Sequence, residues 1–347
     1  MDDNVDKSYL QETVHHGIKN AEIGPIIKAD AGKGEYAADL AYRGENAANY
    51  DALVYEVKSN TPDEKANGMA SLIDLTRFIA SFNISTASTN AVEQWNQVIN
   101  VNHFLRQVAC EWLGGNWDGI VYSGNNYMLY KHPKTNQFIT MPMDFDFTFG
   151  NGLELDQRKL MTGKWTDISS RRMVHSYLWE KVMSVPEFQK SYMEMLSTIN
   201  DKVMHPATLL PRVQGLAYMI QHDAEWDKGL QKWTAGGMSR PWADGSFLES
   251  LKRGSGADDE NIGLIEWIET KHQAVVQDLS ETEALDPPSL EAKLRANALT
   301  IKGIPRFVFE KMEDIVGEEL GEDIEDLITA QKQIEIMPQA AINPVPQ

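Results

Sequence analysis

The sequence predicts an α+β protein dominated by helices, and three observations carry that prediction. Long stretches repeat apolar residues at the three-and-four spacing of one helical face. A short central stretch alternates between strand-like runs and a turn. The first 62 residues mix short apolar runs with Gly, Asn and Asp, as in GPIIKADAGKGEY and AYRGENAANY, which predicts short strands and long loops. In MASLIDLTRFIASF, Leu72, Leu75, Phe78 and Ile79 share one face and predict a helix near 67–82. From about 91, Val98, Val101, Leu105, Val108 and Trp112 extend the pattern as one helix over four turns, ended by Gly114 and Gly115. NNYMLY and FITMPM, joined by HPKTNQ with its Pro133 and Asn136, then predict a β-hairpin.

Helical spacing resumes between about 168 and 280. Ser184 and Glu187 are spaced as a capping box, with Pro186 in the first turn of a helix through FQKSYMEMLSTI. A second helix is expected after Pro206 and a third through IGLIEWIETKHQAVVQDL, with TAGGMSRPWADGS as a loop between them. From 281 the character changes. Pro287 and Pro288 are followed by a strongly acidic stretch, and residues 281–347 hold 6 Lys and Arg against 14 Asp and Glu. That balance predicts a solvated, partly disordered acidic extension behind a domain over 1–280.

The 347 residues suffice for one large domain or two ordinary ones, and 42% hydrophobic with 24% charged residues fits a folded globule. A net charge of −19 argues against a nucleic-acid-binding face, which needs clustered Lys and Arg, and suits metal ions and basic partners. The single cysteine, Cys110, excludes an intrachain disulfide and a cysteine-based metal site, and its amphipathic setting predicts a buried apolar role. The acidic start MDDNVDKSYL is unlike a secretory signal, the end QAAINPVPQ is unlike a lipid-anchor signal, and no run reaches the ~18 apolar residues of a membrane span.

Residues 114–150, GGNWDGIVYSGNNYMLYKHPKTNQFITMPMDFDFTFG, carry the chemistry. Their order is a helix end, Asp118 in a loop, Asn125 and Asn126 entering a strand, a hairpin, then Asp144 and Asp146. Phosphoryl transfer uses these parts: one carboxylate addresses the attacking hydroxyl, while an amide oxygen and a second carboxylate hold Mg²⁺. Protein kinases place the same parts in the same order. The 18 residues from Asn126 to Asp144 allow a hairpin to bring them back together. If extended, the DFD segment would put Asp144 and Asp146 on one face. Trp117, Phe145, Phe147 and Phe149 would supply an apolar matrix that excludes water. Other candidates read blandly. His15 and His16 form a solvated pair, the remaining histidines lack metal-site spacing, and GKGEY is too short for a phosphate loop. Trp226, Trp233 and Trp242 are core or loop anchors, and no Ser is paired with His and Asp as in a hydrolase.

The run NHFLRQVACEWLGGNWDGIVYSGNNYMLYKHPKTNQFITMPMDFDFTFGNGL resembles the core of the CotH kinase family, the spore-coat protein H-like atypical kinases. GNWD, an Asn-Tyr-x-Leu-Tyr strand and Pro-x-Asp-Phe-Asp-x-Thr-Phe-Gly recur there in this order. The resemblance covers roughly residues 3 to 280, and AYRGENAANY looks closest to mucoralean fungal members. It implies an atypical protein-kinase-like fold, here mainly the helix-rich C-terminal lobe with a small β-hairpin and most of the β-rich N-terminal lobe missing. It implies Mg²⁺- and ATP-dependent phosphorylation of protein Ser or Thr. Position by position, Asp118 matches the catalytic-loop Asp, Asn126 the amide of the strand, and Asp144 the metal-binding Asp, with Asp146 the competing assignment. Lys28 matches a residue near the nucleotide.

Two departures stand out. The family carries a β-rich segment before DNVDKSYL that supplies much of the nucleotide lid, and this chain starts almost there. The expectation is a shortened chain or gene model, or lost ATP binding. The family also tends to have Asp where this chain has Asn100 and Asn102. The resemblance further implies a secreted or surface-attached parent. The alternative function is a non-catalytic, invasin-like surface protein that binds a host receptor or coat partner through the 30–60 region. Expected partners are thus a protein substrate or a surface receptor.

Overall fold

The computed structural model describes residues 7–32, 34, 36–59, 61–83, 90–153, 159–168, 175–230, 247–252 and 262–283. Four short strands, Ile26–Ala29 (β1), Tyr55–Val57 (β2), Tyr127–Lys131 (β3) and Phe138–Pro142 (β4), form an antiparallel sheet in the order β2-β1-β3-β4. The expected hairpin is β3 and β4, with Tyr127 opposite Pro142 and Lys131 opposite Phe138. β1 lies along the other edge of β3 with Lys28 opposite Met128, which joins the N-terminal region to the hairpin.

Burial on both faces fixes the register, because a slip of one residue would exchange the two side-chain sets. Ile27, Leu129 and Phe138 enter the main core, while Ile26, Met128, Tyr130 and Met141 form a smaller cluster with Leu10 of helix α1 (Lys7–Thr13). His15 lies against Tyr130 of this second cluster. It is buried, its Nε2 lies 2.7 Å from the Tyr130 hydroxyl, and its ring stacks on His132, so the expected solvated pair holds only for His16.

Helix α2 (Pro62–Ser81) starts earlier than the apolar period suggests. Thr61 caps it through the Glu64 N–H at 3.3 Å, and Pro62 sits where its missing N–H costs nothing. The long helix expected from about 91 is two helices, α3 (Ala91–Val98) and α4 (Val101–Gly114). Ile99 between them is extended and bridges to Phe138, whose carbonyl accepts the Asn100 N–H at 2.8 Å. Asn100 then caps α4 by accepting from His103 N–H at 3.0 Å. The apolar spacing crosses this break undisturbed, which is why it is invisible to periodicity. Asn and Asp cap helices about equally well, so this position suits either.

α4 is the central element, packed on β4 to one side and on α7 (Pro186–Lys202) to the other, with Phe104, Leu105, Val108 and Trp112 buried. Cys110 faces outward from it, contrary to the buried role expected. The remaining helices are α5 (Lys159–Thr162), α6 (Tyr177–Met183), α8 (Pro206–Gly229), α9 (Phe247–Lys252) and α10 (Leu264–Glu283). Pro186 opens α7 as expected, but the capping box does not form. Ser184 closes α6 by donating to the Lys181 carbonyl, and Val185 precedes α7 without a side-chain cap. Trp226 on α8 is 63% exposed and anchors no core. Trp233, Trp242, the 234–246 loop and the acidic extension past Glu283 lie outside the described residues. Among the described residues no helix is long and apolar enough to cross a membrane.

α4 ends at Gly115 in the left-handed conformation, φ 63° and ψ 39°, and a Cβ there would lie 2.2 Å from the Trp267 ring. Gly115→Ala therefore combines backbone strain with a clash against a fully buried indole. It should lower unfolding free energy by about 2–4 kcal/mol. Urea denaturation checks this, and a loss below about 0.5 kcal/mol would mean that the junction yields easily.

Candidate functional site

The last four carbonyls of a helix have no partner within it, and in α4 each is met by a different group. The Glu111 carbonyl accepts from Asn116 N–H at 2.8 Å, and that of Trp112 from Gly115 N–H at 3.3 Å. The Leu113 carbonyl takes the Trp267 indole N–H from α10 at 2.9 Å, and the Gly114 carbonyl takes Phe149 N–H at 2.6 Å. One helix end thereby fixes the loop that carries Asp118, the segment that carries Asp144 and Asp146, and the last helix of the domain.

The loop after Gly115 is held from inside. Asn116 Oδ1 accepts from Asp118 N–H at 3.2 Å, and the Trp117 carbonyl accepts from Ser123 Oγ at 2.6 Å. The Gly119 carbonyl takes the N–H groups of Ser123 and Asn125 at 3.1 and 3.3 Å. Two amides then converge on one oxygen of Asp118: Asn125 Nδ2 at 3.2 Å and Asn126 Nδ2 at 2.9 Å from Oδ2. Asn125 is buried, and its Oδ1 accepts from Ala31 N–H at 2.6 Å, tying the exit of β1 to the same carboxylate. Sequence reasoning singled out Asn126 and missed Asn125 as a clamp, since nothing distinguishes two successive asparagines by pattern.

Asn126 adopts φ 52°, a conformation Asn tolerates better than most residues, and its carbonyl accepts from Met143 N–H at 2.8 Å. That bond sets Asp144 beside the start of β3. Asp144 has φ 51°, so the DFD segment turns rather than running extended. The two carboxyls nevertheless lie close enough to interact. Burial first, and then the neighbouring Asp144 carboxylate, raise the Asp146 carboxyl above its ordinary range, with a smaller push from Asp118.

Trp117 joins the two loops. Its ring packs on Phe147 at 4.3 Å, and its indole N–H donates to the Asn151 carbonyl at 2.9 Å. Asn151 Nδ2 in turn donates to the Asp146 carbonyl at 2.7 Å. The expected apolar matrix forms only in part. Trp117 is buried and Phe147 and Phe149 are partly so, but Phe145 is 50% exposed and the acidic tip opens to water. Lys28 pairs with Asp30 at 3.1 Å on the strand that leads to Ala31. Among the described residues no group of three or more His, Cys, Asp or Glu side chains is assembled as a metal site. The acidic tip is a carboxyl pair with an amide nearby, and carboxyls forced together are eased by a hard cation.

Comparison with known proteins shows the family. The family described as CotH kinase protein matches residues 2–275, and the chain belongs to it. Invasin CotH2 of Rhizopus delemar is 24% identical over 303 residues, covering 83% of this chain and 48% of that protein. Invasin CotH3 of the same fungus is 25% identical with the same coverage, and its Spore coat protein homolog 1 is 23% identical over 82% of this chain and 45% of that protein. The chain spans about half the length of the curated relatives it matches.

Because a carboxylate neighbour helps to raise Asp146, Asp144→Asn should move its titration down toward ordinary aspartate. Carboxyl-carbon NMR titration reads this directly. An Asp146 titration unchanged by the substitution would show that the two side chains are not in contact.

Proposed function

We propose that this chain is the catalytic part of a Mg²⁺-dependent protein phosphotransferase, which moves the γ-phosphoryl group of ATP to a Ser or Thr hydroxyl. The observation that carries the reading is the double amide clamp on Asp118 Oδ2 beside the Asp144–Asp146 pair. Helix, Asp-bearing loop, strand pair and acidic turn follow one another here in the order protein kinases use.

In this reading Asp118, held in orientation by Asn125 and Asn126, receives the proton of the acceptor hydroxyl as its oxygen bonds to the γ-phosphorus. The bond from that phosphorus to the bridging oxygen breaks, and ADP leaves. Asp144, Asp146 and the amide oxygen of Asn126 would hold the metal. Bound Mg²⁺ supplies neutralisation of the phosphate charge. The Asn126 Nδ2 bond to Asp118 fixes the amide plane and leaves its oxygen as the end to offer. Lys28, paired with Asp30, would contact the nucleotide phosphates.

Calorimetric titration of Mg²⁺-ATP, with transfer to a mixed Ser/Thr peptide pool, tests the reading. Wild type should bind saturably, and Asp144→Asn should abolish binding. Asp118→Asn should bind as wild type but lose about 10²–10⁴-fold in transfer. A folded wild type that binds no Mg²⁺-ATP would overturn the proposal.

The second reading is surface binding at a coat or cell surface. Two relatives carry the name invasin and a third that of a spore coat protein. On α8, Leu216, Met219, Ile220 and Trp226 stand exposed, a larger apolar display than solubility needs. Asp144→Asn separates the readings, since adhesion through such a face would survive it.

A further inference from the structure

Beneath the proposed catalytic loop lies a carboxyl that the reaction above does not use. Glu111, on the last turn of α4, is 3% exposed. Its Oε1 accepts from Gln107 Nε2 at 2.9 Å, one turn back on the same helix. Its Oε2 is fully buried and closes no hydrogen bond, and Asn116 Nδ2 is likewise buried and unpartnered. Both atoms crowd one point of the loop. A Cβ on Gly119 would lie 2.6 Å from Glu111 Oε2 and 3.0 Å from Asn116 Nδ2, so the loop backbone rests directly on the carboxyl. The N–H groups of Val121 and Ile120 also act on it.

The path from this contact to Asp118 is short. Gly119 rests on Glu111, and its carbonyl holds Asn125 N–H at 3.3 Å. The Asn125 side chain then grips Asp118 Oδ2 at 3.2 Å. We propose that Glu111 is a positioning residue: its buried carboxyl is the floor on which residues 116–125 fold, and through Gly119 and Asn125 it sets the orientation of the Asp118 carboxylate. The proposal deepens the phosphotransferase reading, although the floor itself is independent of any reaction.

The floor is also titratable. Burial pushes the Glu111 carboxyl up to about 7, with Gln107, Val121 and Ile120 acting against it. Among the described residues the other titratable groups around it are Cys110 on the same helix, whose thiol is raised first by burial and then by the Glu111 charge, and Tyr192 of α7. Tyr192 is a buried phenol pushed up first by burial and then by the Glu111 charge. Lys271 of α10 stands instead over the ring of Trp112, 3.3 Å from its centroid, with Asp278 as its charged neighbour. Because burial raises this carboxyl, its ionisation is disfavoured while the loop is folded on it and favours the open loop. The loop should therefore loosen as pH rises toward neutrality.

The test is amide hydrogen exchange on the full chain, with transfer kinetics alongside, in wild type, Glu111→Gln and Gly119→Ala. In wild type, protection at Ile120, Val121 and Asn125, corrected for intrinsic exchange, should fall as pH rises from the ordinary carboxylate range to about 7. Glu111→Gln, neutral at every pH, should hold its protection constant over that range and so exceed wild type about tenfold above neutrality. Its kcat should lose the matching pH dependence while KM for Mg²⁺-ATP stays constant. Gly119→Ala keeps the carboxyl but lifts the loop off it, so protection should fall while pH dependence remains. Unchanged loop protection and pH profile in Glu111→Gln would overturn the proposal. If wild type transfers no phosphoryl group, the phosphotransferase reading falls, and the exchange data still decide the role of Glu111.

Discussion

The end of the central helix governs everything near the candidate site. A helix terminus buried in a protein must find partners for four carbonyls, and α4 finds them in Asn116, Gly115, Trp267 and Phe149. Three separate stretches of chain are thereby tied to one backbone turn. The αL residue at 115 makes this possible, since it reverses the chain in one step and leaves room for the Trp267 ring. The fold thus holds the Asp118 loop and the acidic turn through the same few bonds. Cooperation between them is a consequence of the scaffold rather than of any bound group.

Electrostatics then distinguishes the roles of the three carboxylates. Asp118 has its Oδ2 taken by two neutral amides, which orient it without neutralising it. Asp144 and Asp146 face each other at an open tip, and their mutual repulsion favours a cation there. Trp117, packed on Phe147, keeps the two regions in register.

The site was more legible than the fold around it. That Asp118, Asn126, Asp144 and Asp146 come together could be read because the hairpin between them is local. Asn125 could not be read, since its partner Ala31 lies far back in sequence and only folding brings them together. The break at Ile99 was hidden because Val98 and Val101 continue one apolar face across it, while the cause is a bridge to Phe138. Ser184 and Glu187 had the spacing of a cap, yet Ser184 serves the preceding helix. His15 and Cys110 were misplaced in opposite senses. A polar ring is buried where Tyr130 satisfies it, and a small apolar residue on α4 is exposed. Glu111 sat unnoticed in the same motif, because a Glu near a helix end reads as solvated until the loop is seen to fold over it.

On the proposed phosphotransferase reading, the Asp118 loop and the Asp144–Asp146 turn form one cation-binding site. Paramagnetic relaxation by Mn²⁺, titrated into isotope-labelled protein and followed by NMR, tests it most directly. Broadening should begin at the amides of Asp144, Phe145 and Asp146 and spread to Asn126 and Asp118 before any other part of the domain. Broadening confined to acidic residues elsewhere in the chain, with residues 118–146 untouched, would contradict it.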